Sequence, residues 1–204
     1  RLRNEIDLAA RAKDLIGVVF IDLDSFKGVN DTVGHSGGDE LLVTVGQRLS
    51  GCARKTDTVA RFGGDEFVIM LTQLQKVHDI LRVVEEIMKV FEKPFFICGE
   101  EFHLTASAGV AVYPIDGEDS ETLLKHSDIA LYTSKDLGKN RFTLCTPLLK
   151  EDTAEKMRLT NDLFRALEHN ELELYYQPQL CIATGKINGL EALLRWKHPE
   201  LGTI

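Results

Sequence analysis

Residues 15–24 read LIGVVFIDLD, and no other stretch constrains the fold as strongly. The longest apolar run, Leu15 to Ile21, is seven residues and includes a glycine, far too short for a membrane span. Its β-branched composition predicts a buried strand, and a strand buried on both faces requires a covering layer on each side of its sheet. The run ends in Asp22-Leu23-Asp24, where alternation puts the two carboxylates on one face and Leu23 on the other. Such an ending marks either the place where solvent begins or the edge of a site.

The tetrapeptide Gly-Gly-Asp-Glu occurs twice, in SGGDELL (36–42) and FGGDEFV (62–68). The first copy leads into helical spacing (Leu41, Leu42, Val45, Leu49), which places Asp39 and Glu40 near a helix N-terminus, where acids are favoured even without function. The second lies between the β-rich arms of TVARFGGDEFVIML, a hairpin signature that puts Asp65 and Glu66 at the tip. Gly63 and Gly64 permit positive φ and let a phosphate approach the backbone. If hairpin and central strand are neighbours, Asp22 and Asp65 converge. Hard carboxylates suit Mg²⁺, which also takes triphosphate oxygens, and two such ions stabilise the attacking and leaving oxygens of a phosphoryl transfer. Lys135 and Lys139, spaced i and i+4 at a helix end, fall on one face and suit either phosphates or solvent.

The remaining pattern is helix (1–14), turn-rich SFKGVNDTVGHSGG, helix (77–92, closed by Pro94), a second hairpin turning at Gly99–Glu100, helix (capped by Asp119 or Ser120, stopped by Gly138) and strand RFTLC. This predicts an α+β domain of α/β type over residues 1–146, with a central mixed, largely antiparallel sheet flanked by helices. From Pro147 the character changes. Residues 147–154 read as a linker, a charged helix (151–169) carries Met157, Leu163, Phe164 and Leu167 on one face, and ELELYYQPQL and INGLEALLRW read as strands joined at ATGK. A helix and a hairpin make a poor independent domain, so 155–204 reads as the opening of a second one. The chain begins mid-pattern at Arg1 without Met and reads as part of a longer protein.

A formal charge of −8 argues against a duplex nucleic-acid binder, which needs a basic face. The four cysteines form no CxxC pair and the six histidines have no metal-ligand spacing, which fits free thiols in a reducing cytoplasm and no zinc site. No signal peptide precedes Leu15 and no segment contacts a membrane, so the expected location is cytoplasmic, or the cytoplasmic part of a larger, membrane-anchored sensor.

Asp22 to Asp39 reads DLDSFKGVNDTVGHSGGD, and 61–67 reads RFGGDEF. Together these resemble the GGDEF family of bacterial diguanylate cyclases, which join two GTP into cyclic di-GMP, over about residues 5–145. The resemblance implies that Asp22, the carbonyl of Leu23 and Asp65 hold Mg²⁺ (or Mn²⁺), that Glu66 is the other signature acid, and that the general base is among these carboxylates. It implies that Lys27 stabilises the reacting phosphates, that Asn30 and Asp39 read guanine with His35 nearby, and that Lys135 and Lys139 hold phosphates. An amide beside a carboxylate is a sensible guanine reader, since the carboxylate accepts from N1–H and the exocyclic amine. Arg54-Lys55-Thr56-Asp57 matches the family's RxxD product-inhibition site, where Arg54 and Asp57 would bind cyclic di-GMP; the bare pattern also fits an Arg–Asp surface pair. One GTP per site implies that a homodimer must form for catalysis.

The tail, LELYYQPQLCIATGKINGLEALLRW, resembles the start of an EAL domain, the cyclic di-GMP phosphodiesterase barrel. The resemblance makes Glu191 the metal-binding position and Arg195 a phosphate-facing one, with no phosphodiesterase activity expected from this segment. Two departures bear on phosphate grip: Thr133-Ser134-Lys135 stands where the family usually has Ala before Lys, and Lys139 stands where Arg is common. Beside the cyclase stands a second expectation, a catalytically weak module that binds GTP or cyclic di-GMP and regulates an EAL phosphodiesterase.

Overall fold

A computed structural model describes the backbone of residues 1–204 and the side chains of all except 150–154 and 157. The chain divides into two units, Arg1–Glu151 and Asp152–Ile204. In the first, the LIGVVFIDL run forms β1 (Leu15–Leu23), the middle strand of a five-stranded sheet. β2 (Thr58–Gly63), β3 (Glu66–Leu74), β6 (Ala106–Tyr113) and β7 (Phe142–Leu144) complete it in the order β2-β3-β1-β6-β7. Every pairing is antiparallel except that of β6 with β7. The sheet is therefore mixed and largely antiparallel, with helices on both faces.

Alternation along β1 divides the core. Val19, Ile21 and Leu23 pack with residues of α2 (Phe26–Cys52) and α3 (Val77–Lys89). Ile16 and Val18 pack with residues of α1 (Leu2–Ala12) and α4 (Ser120–Asp136). Asp22 and Asp24 continue the second series, so the strand delivers both carboxylates to the α4 face. Each fully buried aliphatic side chain stabilises the fold by about 1.5–3 kcal/mol.

The seat of α4 is unusually tight. A Cβ at Gly109 of β6 would lie 2.0 Å from the Ser127 carbonyl oxygen and 2.1 Å from the Leu131 nitrogen. Both are helix backbone and cannot turn aside, so only glycine lets α4 approach this closely. Two further contacts set the helix. Asp119 caps its start, accepting from the amides of Glu121 and Thr122 at 2.9 Å. Near its end the Ser134 hydroxyl donates to the Ala108 carbonyl at 2.7 Å.

Two expectations for this unit are corrected. The stretch SFKGVNDTVGHSGG is mostly helical: α2 begins at Phe26 and is interrupted only at Gly34 (φ 74°, ψ 173°). Phe26, Val29 and Val33 fall at helical spacing and pack on the core, which overrides the turn preference of the neighbouring Gly and Asn. The second hairpin is also shorter than its sequence suggested. β4 (Phe95–Ile97) and β5 (Glu100–Phe102) form a separate two-stranded sheet, turning at Cys98 and Gly99 (φ 53° and 83°) and not at Gly99–Glu100. Phe95 and Ile97 are spent covering the larger core cluster, and β6 enters the main sheet alone.

In the second unit β8 (Leu172–Leu180), β9 (Ile187–His198) and β10 (Gly202–Thr203) form a sheet in the order β10-β9-β8. The residues expected as a linker, 147–154, begin helix α5 (Pro147–Ala166). Of its expected apolar face, Leu163, Phe164 and Leu167 are exposed, Ala166 is buried and the Met157 side chain lies outside the described residues. His198 is buried; its Nδ1 accepts from the amides of Glu200 and Leu201 at 3.2 Å each, so Nε2 carries the proton that faces Asp162 Oδ2 at 3.4 Å.

Gly109→Ala should destabilise the first unit by about 3 kcal/mol, because two backbone atoms must yield to one methyl. Urea unfolding checks this, and a loss below about 1 kcal/mol would contradict so close a helix seat.

Candidate active site

The β2–β3 hairpin turns at Gly64 and Asp65, with Gly63 paired to Glu66. Gly64 has φ 49°, and a Cβ at either glycine would meet nothing within 4 Å, which leaves the turn open to an approaching group. β3 runs beside β1 in a register that places Glu66 opposite Asp22. Directly opposed residues share a face, so Asp22 and Glu66 stand side by side over the sheet. The Leu23 amide donates to the Asp65 carbonyl at 3.3 Å. In an antiparallel strand a residue's carbonyl points the same way as its amide, so the Leu23 carbonyl faces the hairpin tip. Hairpin and central strand are thus neighbours, and the charge of Asp65 acts on the Asp22 carboxyl. Phe62, in the β2 arm of the hairpin, is exposed and stands edge-on to Phe20 with ring centroids 5.1 Å apart.

Lys135 reaches this cluster from α4, its Nζ 2.7 Å from Asp22 Oδ2. It is outnumbered. Burial raises the Asp22 carboxyl above the ordinary carboxylate range, Lys135 opposes this, and the charges of Asp65 and Asp24 push it further up. Burial also raises Glu66, reinforced by Asp22, Asp128 and Asp65. Among the described residues no three His, Cys, Asp or Glu side chains gather closely enough to hold an ion alone. Mg²⁺ needs fewer: one or two carboxylates with water and substrate phosphates is its usual protein site. Two carboxylates, a backbone carbonyl and an excess of negative charge fit that ion.

The first Gly-Gly-Asp-Glu builds a different feature. A Cβ on Gly38 would lie 1.9 Å from Asn30 Oδ1, so the Asn30 side chain rests directly on Gly38, beside Asp39. The break at Gly34 folds the two parts of α2 so that Asn30 and Gly38, eight apart in sequence, become neighbours. Asp39 also lines a groove of about 780 Å³ with Arg61, Val43 and Phe67. His35 and Lys27 are exposed near either end of the first part of α2.

Lys139 is a correction. α4 ends at Asp136, and Lys139 follows Gly138 with φ 62°, its amide donating to the Ser134 carbonyl at 3.0 Å. The i, i+4 argument for Lys135 and Lys139 therefore fails, and the second lysine is displayed from a left-handed turn. Arg54 and Asp57 are close but form no side-chain ion pair. Asp57 accepts from the Arg54 amide at 2.8 Å and from the Thr72 amide at 3.1 Å, which leaves the exposed Arg54 guanidinium without a partner among the described residues. In the second unit Glu191 is exposed on β9 opposite Gln177, and Arg195 stands opposite Glu173.

Sequence reasoning missed Asp128, Thr105, Ser107 and Asn140. Asp128 had a signal, since it precedes Lys135 by seven residues, two helical turns, and so shares its face. The other three had none, because their partner is Asp24 across the sheet. No described helix is long and apolar enough to cross a membrane.

Residues 1–141 match the family model described as diguanylate cyclase, GGDEF domain, and residues 160–204 match that of the EAL domain. The chain is 39% identical over 204 residues to the bifunctional diguanylate cyclase/cyclic di-GMP phosphodiesterase MucR of Pseudomonas aeruginosa, covering 100% of this chain and 30% of that protein. It is 40% identical over 189 residues to the cyclic di-GMP phosphodiesterase NbdA of the same organism, covering 93% and 24%. The chain thus spans less than a third of the length of these relatives. Among solved structures, the GGDEF domain of YfiN (TpbB) from Pseudomonas aeruginosa superposes with TM-score 0.69 at 34% identity, covering 72% of this chain and 91% of that one. The GGDEF domain of DgcB from Caulobacter crescentus, solved with c-di-GMP, gives 0.63 at 29% identity, covering 71% and 85%. The chain belongs to the GGDEF family through residues 1–141 and carries an EAL-family segment at 160–204.

Proposed function

We propose that residues 1–146 form a diguanylate cyclase domain that joins two GTP into cyclic di-GMP, with 155–204 opening an EAL domain. The observation that carries this reading is the cluster at the end of β1, where Asp22 and Glu66 stand in register and Lys135 reaches across from α4. Asp22, Asp65 and the Leu23 carbonyl would hold Mg²⁺ or Mn²⁺, which when bound neutralises phosphate charge and makes the α-phosphorus more electrophilic. The chain's own groups do the rest. Lys135, Lys139 and Lys27 bind phosphate oxygens, and Asn30 with Asp39 accepts and donates to the guanine edge. A site that pairs such groups only with guanine rejects adenine strongly. Glu66, raised by burial and by its neighbours, is a better proton acceptor than an ordinary glutamate and receives the proton of the attacking 3′-hydroxyl. Each new P–O bond at an α-phosphate expels one pyrophosphate. The two hydroxyls come from two nucleotides, so two chains must face one another.

A second reading has one observation in its favour. NbdA, described as a phosphodiesterase, resembles this chain along 93% of its length. On that reading the domain binds GTP or cyclic di-GMP, turns over little, and regulates an EAL phosphodiesterase.

Three outcomes test these proposals. Purified protein with Mg²⁺ and GTP should release cyclic di-GMP and pyrophosphate, and Asp65→Ala should lower the rate by about 10²-fold or more. Calorimetric GTP binding with no product at high protein concentration would favour the regulatory reading instead. Arg54→Ala should relieve inhibition by added cyclic di-GMP, while unchanged inhibition would remove residues 54–57 from a product site. The third outcome concerns pH. Because the folded-state pKa of Glu66 is raised, its ionisation opposes folding above the unfolded pKa, whereas below about pH 4 the group is protonated in both states. Glu66→Gln should therefore melt higher than the unaltered protein at neutral pH, with the gap closing on acidification. A gap independent of pH would contradict the assignment.

A further inference from the structure

Asp24 follows β1 and is buried, 6% exposed. A carboxylate so enclosed needs several donors, and three converge on it. Ser107 Oγ donates to Oδ1 at 2.8 Å, Thr105 Oγ1 donates to Oδ2 at 2.7 Å, and the Asn140 amide donates to Oδ2 at 3.2 Å. The Asp24 amide in turn donates to the Thr105 carbonyl at 2.9 Å. Asp22, two residues earlier on the same face, has the Lys135 ammonium instead. The two acids of one Asp-Leu-Asp motif are therefore used differently.

The Asn140 contact shows what Asp24 holds. Gly138, Lys139 and Asn140 have φ of 108°, 62° and 48°, three left-handed residues in succession, two of them with side chains. Left-handed backbone of this kind persists only where its surroundings fix it. The turn is anchored by the Gly138 amide on the Lys135 carbonyl at 3.2 Å, the Lys139 amide on the Ser134 carbonyl at 3.0 Å, the Arg141 carbonyl on the Ala108 amide at 2.9 Å, and the Asn140 amide on Asp24. Of these, only Asp24 belongs to the chain segment that also carries Asp22. The Lys139 side chain is exposed and has no ion pair among the described residues.

The geometry points to Asp24 as a positioning residue for nucleotide phosphate: its carboxylate pins the 138–141 turn to the end of β1, which sets Lys139 at a fixed place relative to Asp22. Asp24 acts here through the turn and not as an ion ligand: it is buried, and three donors fill three of its roughly four acceptor positions. The nucleotide is GTP only in so far as the cyclase reading holds.

The test uses calorimetry with 3′-deoxy-GTP, which cannot attack, on the unaltered protein, Asp24→Asn, Lys139→Ala and the double variant. Asp24→Asn should weaken the analogue about tenfold through displacement of the turn. The Mg²⁺ concentration for half-maximal binding should stay within about twofold, because no ion ligand has changed. In the Lys139→Ala background the Asn substitution should add nothing. Hydrogen exchange at the Asn140 amide should quicken in Asp24→Asn, whatever the nucleotide does. Thr105→Val, which keeps the carboxylate and removes one donor, should show the same pattern more weakly and serves if Asp24→Asn does not fold. A Mg²⁺ requirement raised tenfold, or losses that add in full between Asp24→Asn and Lys139→Ala, would overturn the positioning role. Unchanged Asn140 exchange would overturn the tether itself. If the unaltered protein fails to bind the analogue, the cyclase reading falls, and with it the phosphate role but not the tether.

Discussion

The contact on which the rest of the site depends is the 2.7 Å ion pair between Lys135 on α4 and Asp22 at the end of β1. It exists because the two elements are held close by features remote from it. Gly109 gives α4 a seat on bare backbone, Asp119 fixes where the helix begins, and Ser134 joins its last turn to β6. Were α4 displaced by the width of a methyl group, the Lys135 ammonium would move with it. Asp22 and Glu66 would then lose a positive charge that offsets their crowding. In this protein the packing of a glycine controls the electrostatics of a strand end.

The crowding itself is informative. Natural folds seldom place several acids together where burial raises them, because each ionised group opposes folding. Here the arrangement persists at the open end of a central strand, beneath a hairpin tip whose two glycines leave open space where side chains would stand. A stability penalty concentrated where space is left open is what a cation and a polyphosphate would relieve. The first copy of Gly-Gly-Asp-Glu shows the contrast. Its Gly38 is buried and used for contact with Asn30, while Gly63 and Gly64 of the second copy are exposed and used for openness.

Much of this was legible from sequence where the signal was local and periodic. The β-branched run of β1 and the hairpin around Gly63-Gly64 form as expected, and the helix expected over 77–92 forms as α3, ending at Lys89. The failures share a cause, which is that tertiary packing outweighed a local preference. Phe26, Val29 and Val33 draw a Gly- and Asn-rich stretch into α2, and Phe95 with Ile97 commits a short hairpin to covering the core. Lys139 sits at helical spacing from Lys135, yet the stop at Gly138 leaves it beyond the end of α4. Asp22 and Asp24 are indistinguishable as letters. Only the hydroxyls and amide gathered from residues 105, 107 and 140 separate them.

If the end of β1 is a cation and triphosphate site, Lys135 is the stand-in charge of the free domain, and the bound state must release it from Asp22. A crystal structure of the protein grown with 3′-deoxy-GTP and Mg²⁺ tests it most directly. It should show an ion bound by Asp22, Asp65 and the Leu23 carbonyl, Lys135 turned from Asp22 to a phosphate oxygen, and Asp24 still held by Thr105, Ser107 and Asn140. An ion bound elsewhere, or triphosphate bound with the Lys135–Asp22 pair intact at its present distance, would contradict it.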